Sequence, residues 1–273
     1  MTNGVLCFAN NNGKIDYIKQ AVHLAIRVKK YLNLPTSVVT TSPDDAKKYE
    51  DVFDKIIYVP DNVENYKRYN DGELHHQKLY FKNSARHKSY NLTPYENTIV
   101  MDTDYIICND VLKHAYKSKH NFLIYKDGVD LSLWRDEPEF KYINDKGIDF
   151  YWATVFFFRK NTETKIFFDL LTHLVTNWKH YSEVYDLGSR NFRNDHAFSM
   201  AIHVMNGFTS GDWAKELPGK MYYTLDRDKL NSIDNEKLTF LLSKKDYRGE
   251  YTLSSISNCN VHVMNKFSLE KFL

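Results

Sequence analysis

The stretch TIVMDTDYIICND, residues 98–110, decides how this chain is read. Ile99, Val100 and Met101 form a short apolar run suited to a strand buried on both faces, and Asp102 and Asp104 follow it at once with one threonine between them. In extended backbone, residues i and i+2 face the same way, so the two carboxylates can converge where the strand ends. Two carboxylates a few ångströms apart repel unless a proton or a cation intervenes, and a divalent metal is the simplest remedy. Hard oxygen ligands suit Mg2+ or Mn2+. The same pair also reads without chemistry, Asp102 capping the next turn and Asp104 facing solvent.

Working outward, apolar runs alternate with helical patterns. GVLCFA (4–9) reads as a strand and NNNGK as its loop, and from Tyr17 the apolar positions Ile18, Ala21, Val22, Ala25, Ile26 and Val28 recur at helical spacing. TSVVTT is a second strand, SPDDAKKYEDVF a helix capped by Ser42 or Asp44, and KIIYVP a third strand closed by proline. DGELHHQKLYFKNSARHKSYNL is expected to be helical. NFLIYKDG and ATVFFFRKN read as strands, ETKIFFDLLTHLVTNWKHYSEVY as the longest helix, and NDHAFSMAIHVMNG as a shorter one ended by Gly207. The pattern weakens after about residue 209. Strands alternating with helices imply right-handed crossovers, hence an α/β fold with a mainly parallel central sheet flanked by helices. Ligands of open parallel sheets collect at the carboxyl ends of the strands, where the two aspartates fall.

Composition limits the function classes. The chain has 273 residues, 42% hydrophobic and 15% aromatic, enough apolar surface to build a core and to exclude disorder. A formal net charge of +2 gives no general field for nucleic acid or an anionic membrane. Cys7, Cys108 and Cys259 are odd in number and far apart, so they signal neither a disulfide framework nor a thiolate zinc site. With no membrane span or leader pattern in the sequence, a cytoplasmic protein is expected. No linker or repeat divides the chain, so one domain is expected.

Seven motifs carry a resemblance. In order they are FANNNGKIDYIKQAVHLA (8–25), VFDKIIYVP (52–60), HQKLYFKNSARH (76–87), TIVMDTDYIICND, YWATVFFFRK (151–160), RNDHAFSMAI (193–202) and NVHVMNKF (260–267). In this order the chain resembles glycosyltransferases of the GT-A (Rossmann-like) fold, most closely the glycogenin-like family 8 enzymes. The resemblance implies a single domain over 1–273, with a nucleotide-binding half (1–110) and a sugar and acceptor half (111–273). It implies a nucleotide-sugar donor, a UDP-sugar by preference, and an Mn2+ or Mg2+ cofactor.

The resemblance also distributes roles. Phe8, Ala9 and Asn10 would hold the nucleotide base, with Tyr17 placed to stack on a uracil. Lys78 would approach the diphosphate. Asp102 and Asp104 would bind the metal, Asp102 being shared with the ribose, and His262 would supply the remaining protein ligand; one imidazole beside two carboxylates suits Mn2+. Lys266 would be a second phosphate contact, although HVMNKF lacks the glycine and proline that the family carries there. Ala153 and Thr154 would line the donor sugar. Asp195 would accept hydrogen bonds from sugar hydroxyls, and His196 replaces the family's glutamine near the anomeric centre. Read on residues alone, Asp195 is equally an N-cap of the helix beginning AFSMAI.

The acceptor side is open. Trp134, Arg135, Tyr142, Tyr151 and Trp152 are candidates for an acceptor wall. Arg135, Lys141, Arg159, Lys160, Arg190 and Arg193 are candidates for a phosphate-binding rim, which would suit a glycosyltransferase acting on hydroxymethylated DNA bases, or else for a solvated surface. A sugar nucleotidyltransferase is a further alternative, although FANNNGK lacks the glycine-rich phosphate loop. A non-catalytic nucleotide- or carbohydrate-binding protein is the third.

Overall fold

The computed structural model describes residues 2–60, 66–69, 78–83, 85–135, 140–188, 191–245 and 249–273, with backbone alone at 66–69 and 78–81. In chain order the strands are β1 (Asn3–Phe8), β2 (Thr36–Thr40), β3 (Lys55–Tyr58), β4 (Tyr66–Tyr69), β5 (Lys78–Phe81), β6 (Asn97–Met101), β7 (Tyr105–Ile106), β8 (Phe122–Tyr125), β9 (Gly128–Asp130) and β10 (Trp152–Arg159). Then come β11 (Met221–Thr224), β12 (Lys229–Asp234), β13 (Lys237–Ser243), β14 (Tyr251–Ser257) and β15 (Val261–Val263). The helices are α1 (Tyr17–Arg27), α2 (Pro43–Lys47), α3 (Ser89–Leu92), α4 (Thr162–Thr176), α5 (Trp178–Val184), α6 (Asn194–Met205) and α7 (Lys266–Leu269).

The central sheet has the order β3-β2-β1-β6-β10-β8. The pairs β3/β2, β2/β1 and β1/β6 are parallel, whereas β10 runs antiparallel to both β6 and β8. The expected α/β architecture with a mainly parallel central sheet is therefore what the chain forms. The reversal of β10 matters for function, because its first residues lie beside the last residues of β6: Val155 pairs with Met101, and Asp102 donates its N–H to the Thr154 carbonyl at 2.8 Å.

The sheet is buried on both faces, which explains the unbroken apolar runs of β6 and β10. Phe156 packs against Phe198 of α6 at 4.7 Å between ring centroids, and Phe158 against Phe168 of α4 at 4.8 Å. Phe157 points the other way and meets Tyr116 edge to face at 5.3 Å. Helix α4 starts in a capping box: the Asn161 side chain accepts from the Thr164 N–H at 2.9 Å while Asn161 N–H returns a bond to the Thr164 hydroxyl at 3.3 Å. Helix α1 starts at Asp16, whose side chain accepts from Lys19 N–H at 3.1 Å, and buries Ile18, Ala21, Leu24 and Ala25.

A second sheet, β7-β15-β11-β9, extends from the end of β6. Its register sets Tyr105, His262, Tyr223 and Asp130 side by side in one row across four strands. An antiparallel meander, β12-β13-β14, packs alongside through a smaller apolar cluster that includes Leu238, Phe240, Val261 and Leu269.

Four sequence expectations change, the first being the helix over SPDDAKKYEDVF, which spans only Pro43–Lys47. The segment expected as a helix through 71–92 places β5 at Lys78–Phe81, paired antiparallel with β4, and only Ser89–Leu92 is α-helical; residues 71–77 and 84 lie outside the described residues. The long helix after Asn161 is two helices separated at Asn177, α4 and α5. Helix α6 begins at Asn194, so Asp195 sits in its first turn rather than at its cap. No helix among the described residues is long and apolar enough to cross a membrane.

Candidate functional site

The site is built where β6 ends. Its turn is pinned from three directions: Asp102 N–H bonds the Thr154 carbonyl, the Thr103 hydroxyl donates to Gln20 of α1 at 3.1 Å, and the Asp104 carbonyl accepts from Val263 N–H of β15 at 3.0 Å. Backbone turning between Asp102 and Tyr105 (Tyr105 N–H to Asp102 carbonyl, 3.2 Å) then presents both carboxylates to the same place. The pairing of His262 with Tyr105 across β15 and β7 brings the imidazole in beside them. Asp102, Asp104 and His262 each offer a ligand atom, and these atoms all lie within 4.8 Å of one another.

The chemistry of this donor set fits a divalent cation. Two carboxylate oxygens and one imidazole nitrogen suit Mn2+, and Mg2+ less well because of the nitrogen. His262 also has the outer partner that a ligating histidine needs, since its Nδ1 lies 3.4 Å from the Thr154 hydroxyl, which can accept from or donate to the ring. His262 Nε2 lies 3.3 Å from Asp104 Oδ2.

Protein cations already flank the carboxylates. Lys266 Nζ lies 3.0 Å from Asp104 Oδ2, both side chains being almost fully buried. The Arg86 guanidinium is paired with Asp102 Oδ1. Burial pushes the Asp104 carboxyl up, but Lys266 and His262 together outweigh it and hold the group well below the usual carboxylate range. The balance at Asp102 goes the other way: burial, aided by the charges of Asp104 and Asp195, outweighs Arg86 and raises its carboxyl to about 6. The two aspartates therefore titrate far apart, and one proton or cation at Asp102 relieves the repulsion that the sequence implies.

The residues expected at the donor sugar, Ala153, Thr154, Asp195 and His196, lie at the start of β10 and in the first turn of α6. Ala153 N–H donates to Asp195 Oδ1 at 2.9 Å, and the other oxygen of Asp195 lies 3.7 Å from Arg193. Ala153 and Thr154 are buried. His196, next along α6, is half-buried and meets the Phe150 ring edge to face at 6.1 Å. Trp152 packs beside His262, its ring tilted against Tyr223 at 4.8 Å and edge-on to His262 at 6.2 Å.

The base-side residues are placed differently. Phe8, Ala9 and Tyr17 are buried in the main core. The Asn10 side chain is a latch: its carbonyl accepts from Thr41 N–H at 2.8 Å and its amide donates to the Lys82 carbonyl at 2.9 Å, while Asn10 N–H bonds the Asn83 side chain. The Lys78 side chain lies outside the described residues.

Sequence reading missed Arg86. It stands in a 3-10 turn, Ala85–Lys88, and in sequence it is one of a run of basic residues that looks solvated; only the fold shows it buried against Asp102. The basic rim is also corrected. Arg135 is buried between Asp130 and Asp228, with bonds of 2.7 to 2.9 Å to both carboxylates, and donates to the Ser243 carbonyl and hydroxyl. Arg159 donates to the Tyr116 and Ser118 carbonyls, and Lys160 to the Thr93 carbonyl. Lys141 lies over the ring of the exposed Tyr142, and Arg190 is outside the described residues. Of the acceptor wall, Tyr151 and Trp152 are buried, whereas Trp134 is exposed and lines an open cavity of about 600 Å³ with Lys244, Lys245 and Thr252.

No protein-family model matches the chain, and no curated protein matches it. Among solved structures it is similar to the glycosyltransferase GlyE of Streptococcus pneumoniae TIGR4, at 11% identity and a TM-score of 0.43 over 80% of this chain and 45% of that one. It is also similar to the galactosyltransferase LgtC in complex with donor and acceptor sugar analogues, at 14% identity and a TM-score of 0.47 over 79% of this chain and 73% of that one. An active-site mutant of LgtC gives 13% identity and a TM-score of 0.48 over 79% and 72%. The chain thus spans less than half the length of GlyE.

Proposed function

We propose that this chain is a metal-dependent glycosyltransferase of the GT-A fold, of the glycogenin-like kind, that moves a sugar from a nucleotide sugar, by preference a UDP-sugar, to a hydroxyl of a glycan acceptor. One observation carries the reading: Asp102 and Asp104, just past the end of β6, and His262 of β15 bring ligand atoms within 4.8 Å of one another at the carboxyl edge of a mainly parallel sheet.

Asp102, Asp104 and His262 would hold Mn2+ or Mg2+, which supplies positive charge against a departing nucleoside diphosphate. The chain's own cations act in the same sense. Arg86 is held against Asp102 and Lys266 against Asp104, so two cations stand beside the carboxylates that would hold the ion. Asp195, oriented by the Ala153 N–H and half-covered, has its second oxygen available to orient sugar hydroxyls alongside Arg193. Trp152 and Phe150 are buried next to this rim and pack edge to face at 5.3 Å. An oxocarbenium-like transition state needs no strong base, in keeping with a site made of fixed charges. The DNA-acceptor reading draws no support from Arg135, Arg159 or Lys160, whose donors are engaged within the protein.

The test is a thermal-shift screen of nucleotide sugars and nucleoside diphosphates with and without Mn2+, followed by transfer to glycan acceptors. A ligand that binds only the folded form raises the melting temperature by mass action. A shift for a UDP-sugar that depends on Mn2+, with release of UDP on adding acceptor, supports the proposal. Pyrophosphate release from a nucleoside triphosphate would replace it with a nucleotidyltransferase, and nucleotide binding without any turnover would replace it with a binding protein.

A further inference from the structure

Asp104 Oδ2 has two nitrogen partners, Lys266 Nζ at 3.0 Å and His262 Nε2 at 3.3 Å. An ion ligated by Asp104 Oδ2 needs a lone pair that this oxygen directs at Lys266 and His262. The partner of Asp102 is a rigid guanidinium, whereas that of Asp104 is an ammonium on a flexible four-carbon stem, able to leave one anion for another. The backbone beneath Lys266 is fixed independently of its side chain. Asn265 caps α7 through Ser268 N–H at 3.0 Å and donates to the Asp226 carbonyl at 2.8 Å, and Lys266 N–H bonds the Met264 carbonyl at 3.0 Å.

We infer that Lys266 couples the metal to the donor: its ammonium competes with a divalent ion for Asp104 Oδ2, and the diphosphate of the donor draws it off that oxygen. The inference rests on the metal-dependent glycosyltransferase reading above and adds a role for one residue within it. By linkage, whatever removes Lys266 from Asp104 tightens the ion, and the ion in turn tightens whatever holds Lys266 elsewhere. Metal alone then binds weakly, and metal with nucleoside diphosphate binds strongly. A lysine acting as a phosphate contact alone predicts something different, since its removal would weaken the nucleotide and leave binding of the bare ion unchanged.

The experiment titrates Mn2+ into the full chain and into Lys266→Met and Lys266→Gln, following free Mn2+ by electron paramagnetic resonance, first without nucleotide and then with saturating UDP. Far-UV circular dichroism checks that each variant is folded, and Lys266→Gln, which keeps a hydrogen-bond donor for Asp104, serves if the methionine variant is not. The expected result is that the variants bind Mn2+ alone at least about fivefold more tightly than the wild type, and that the gain in Mn2+ affinity on adding UDP shrinks in them. Unchanged affinity for Mn2+ alone, or an undiminished gain with UDP, overturns the coupling role while leaving the metal site standing. Failure of the wild type and both variants to bind Mn2+ under either condition overturns the metal-dependent reading and the inference with it.

Discussion

Ala153 donates its backbone N–H to Asp195 Oδ1 at 2.9 Å, which ties the first turn of α6 to the opening of β10. One residue further along β10, the Thr154 hydroxyl lies 3.4 Å from His262. The Asp195 carboxylate and the His262 imidazole are thus held to one strand at successive positions. Asp195→Asn keeps an oxygen for Ala153 and removes the charge. Turnover is expected to fall by about tenfold to a hundredfold with the melting temperature within a few degrees of wild type, as measured by steady-state transfer and calorimetry. Loss of stability without loss of turnover per folded molecule would make Asp195 a structural tie only.

Asp102→Asn and Asp104→Asn are each expected to abolish transfer and to weaken Mn2+ and donor binding together. Removing one ligand of a three-residue set costs at least the ten- to hundredfold in affinity, roughly, seen for outer-shell partners of metal sites. Calorimetric titration of Mn2+ and UDP into each variant checks this, and near wild-type turnover at saturating metal and donor would rule the assignment out.

The pH dependence follows from Asp102. Its carboxyl is raised to about 6, so the proton competes with the ion below that pH. Mn2+ affinity is expected to climb as pH rises through about 6 and to level above it. The stability sign is opposite to that of an ordinary paired carboxylate, because the folded chain holds this proton more tightly than the unfolded one does. This group's contribution to stability is present at low pH and is lost as pH rises through about 6. Denaturant midpoints of wild type and Asp102→Asn from pH 4.5 to 7.5 check it: the wild-type curve falls relative to the variant across that window.

Arg135 makes a stability prediction. Removing it leaves Asp130 and Asp228 facing each other inside the protein, so Arg135→Ala is expected to cost about 3–5 kcal/mol in urea denaturation. A surface rim arginine would cost almost nothing. Salt has little effect on the loss, since the pair is screened from solvent.

The end of β6 is legible in sequence because a strand buried on both faces writes itself as an apolar run, and charges placed straight after it stand out. His262 is legible only through the motif order, since a histidine between two valines looks like core. Arg86 and Arg135 are not legible. Arg86 is neutralised by Asp102 sixteen positions on, and Arg135 by Asp130 five positions back together with Asp228 ninety-three positions on, and no helical or strand period encodes such pairings. The strand at Lys78–Phe81 is hidden for a related reason. It exists by pairing with Tyr66–Tyr69, and four residues are too few to show a period.

The reversed direction of β10 has a mechanical corollary. Because this strand runs antiparallel to β6, its first residues stand at the rim where β6 ends, and the segment leading into it packs inward there, Phe140, Ile143, Phe150 and Tyr151 all being buried. A substitution at Phe140 or Phe150 therefore reaches the histidine through one intervening ring, since both meet Trp152 and Trp152 lies edge-on to His262. Rim and core are thus a single mechanical unit at this end of the sheet.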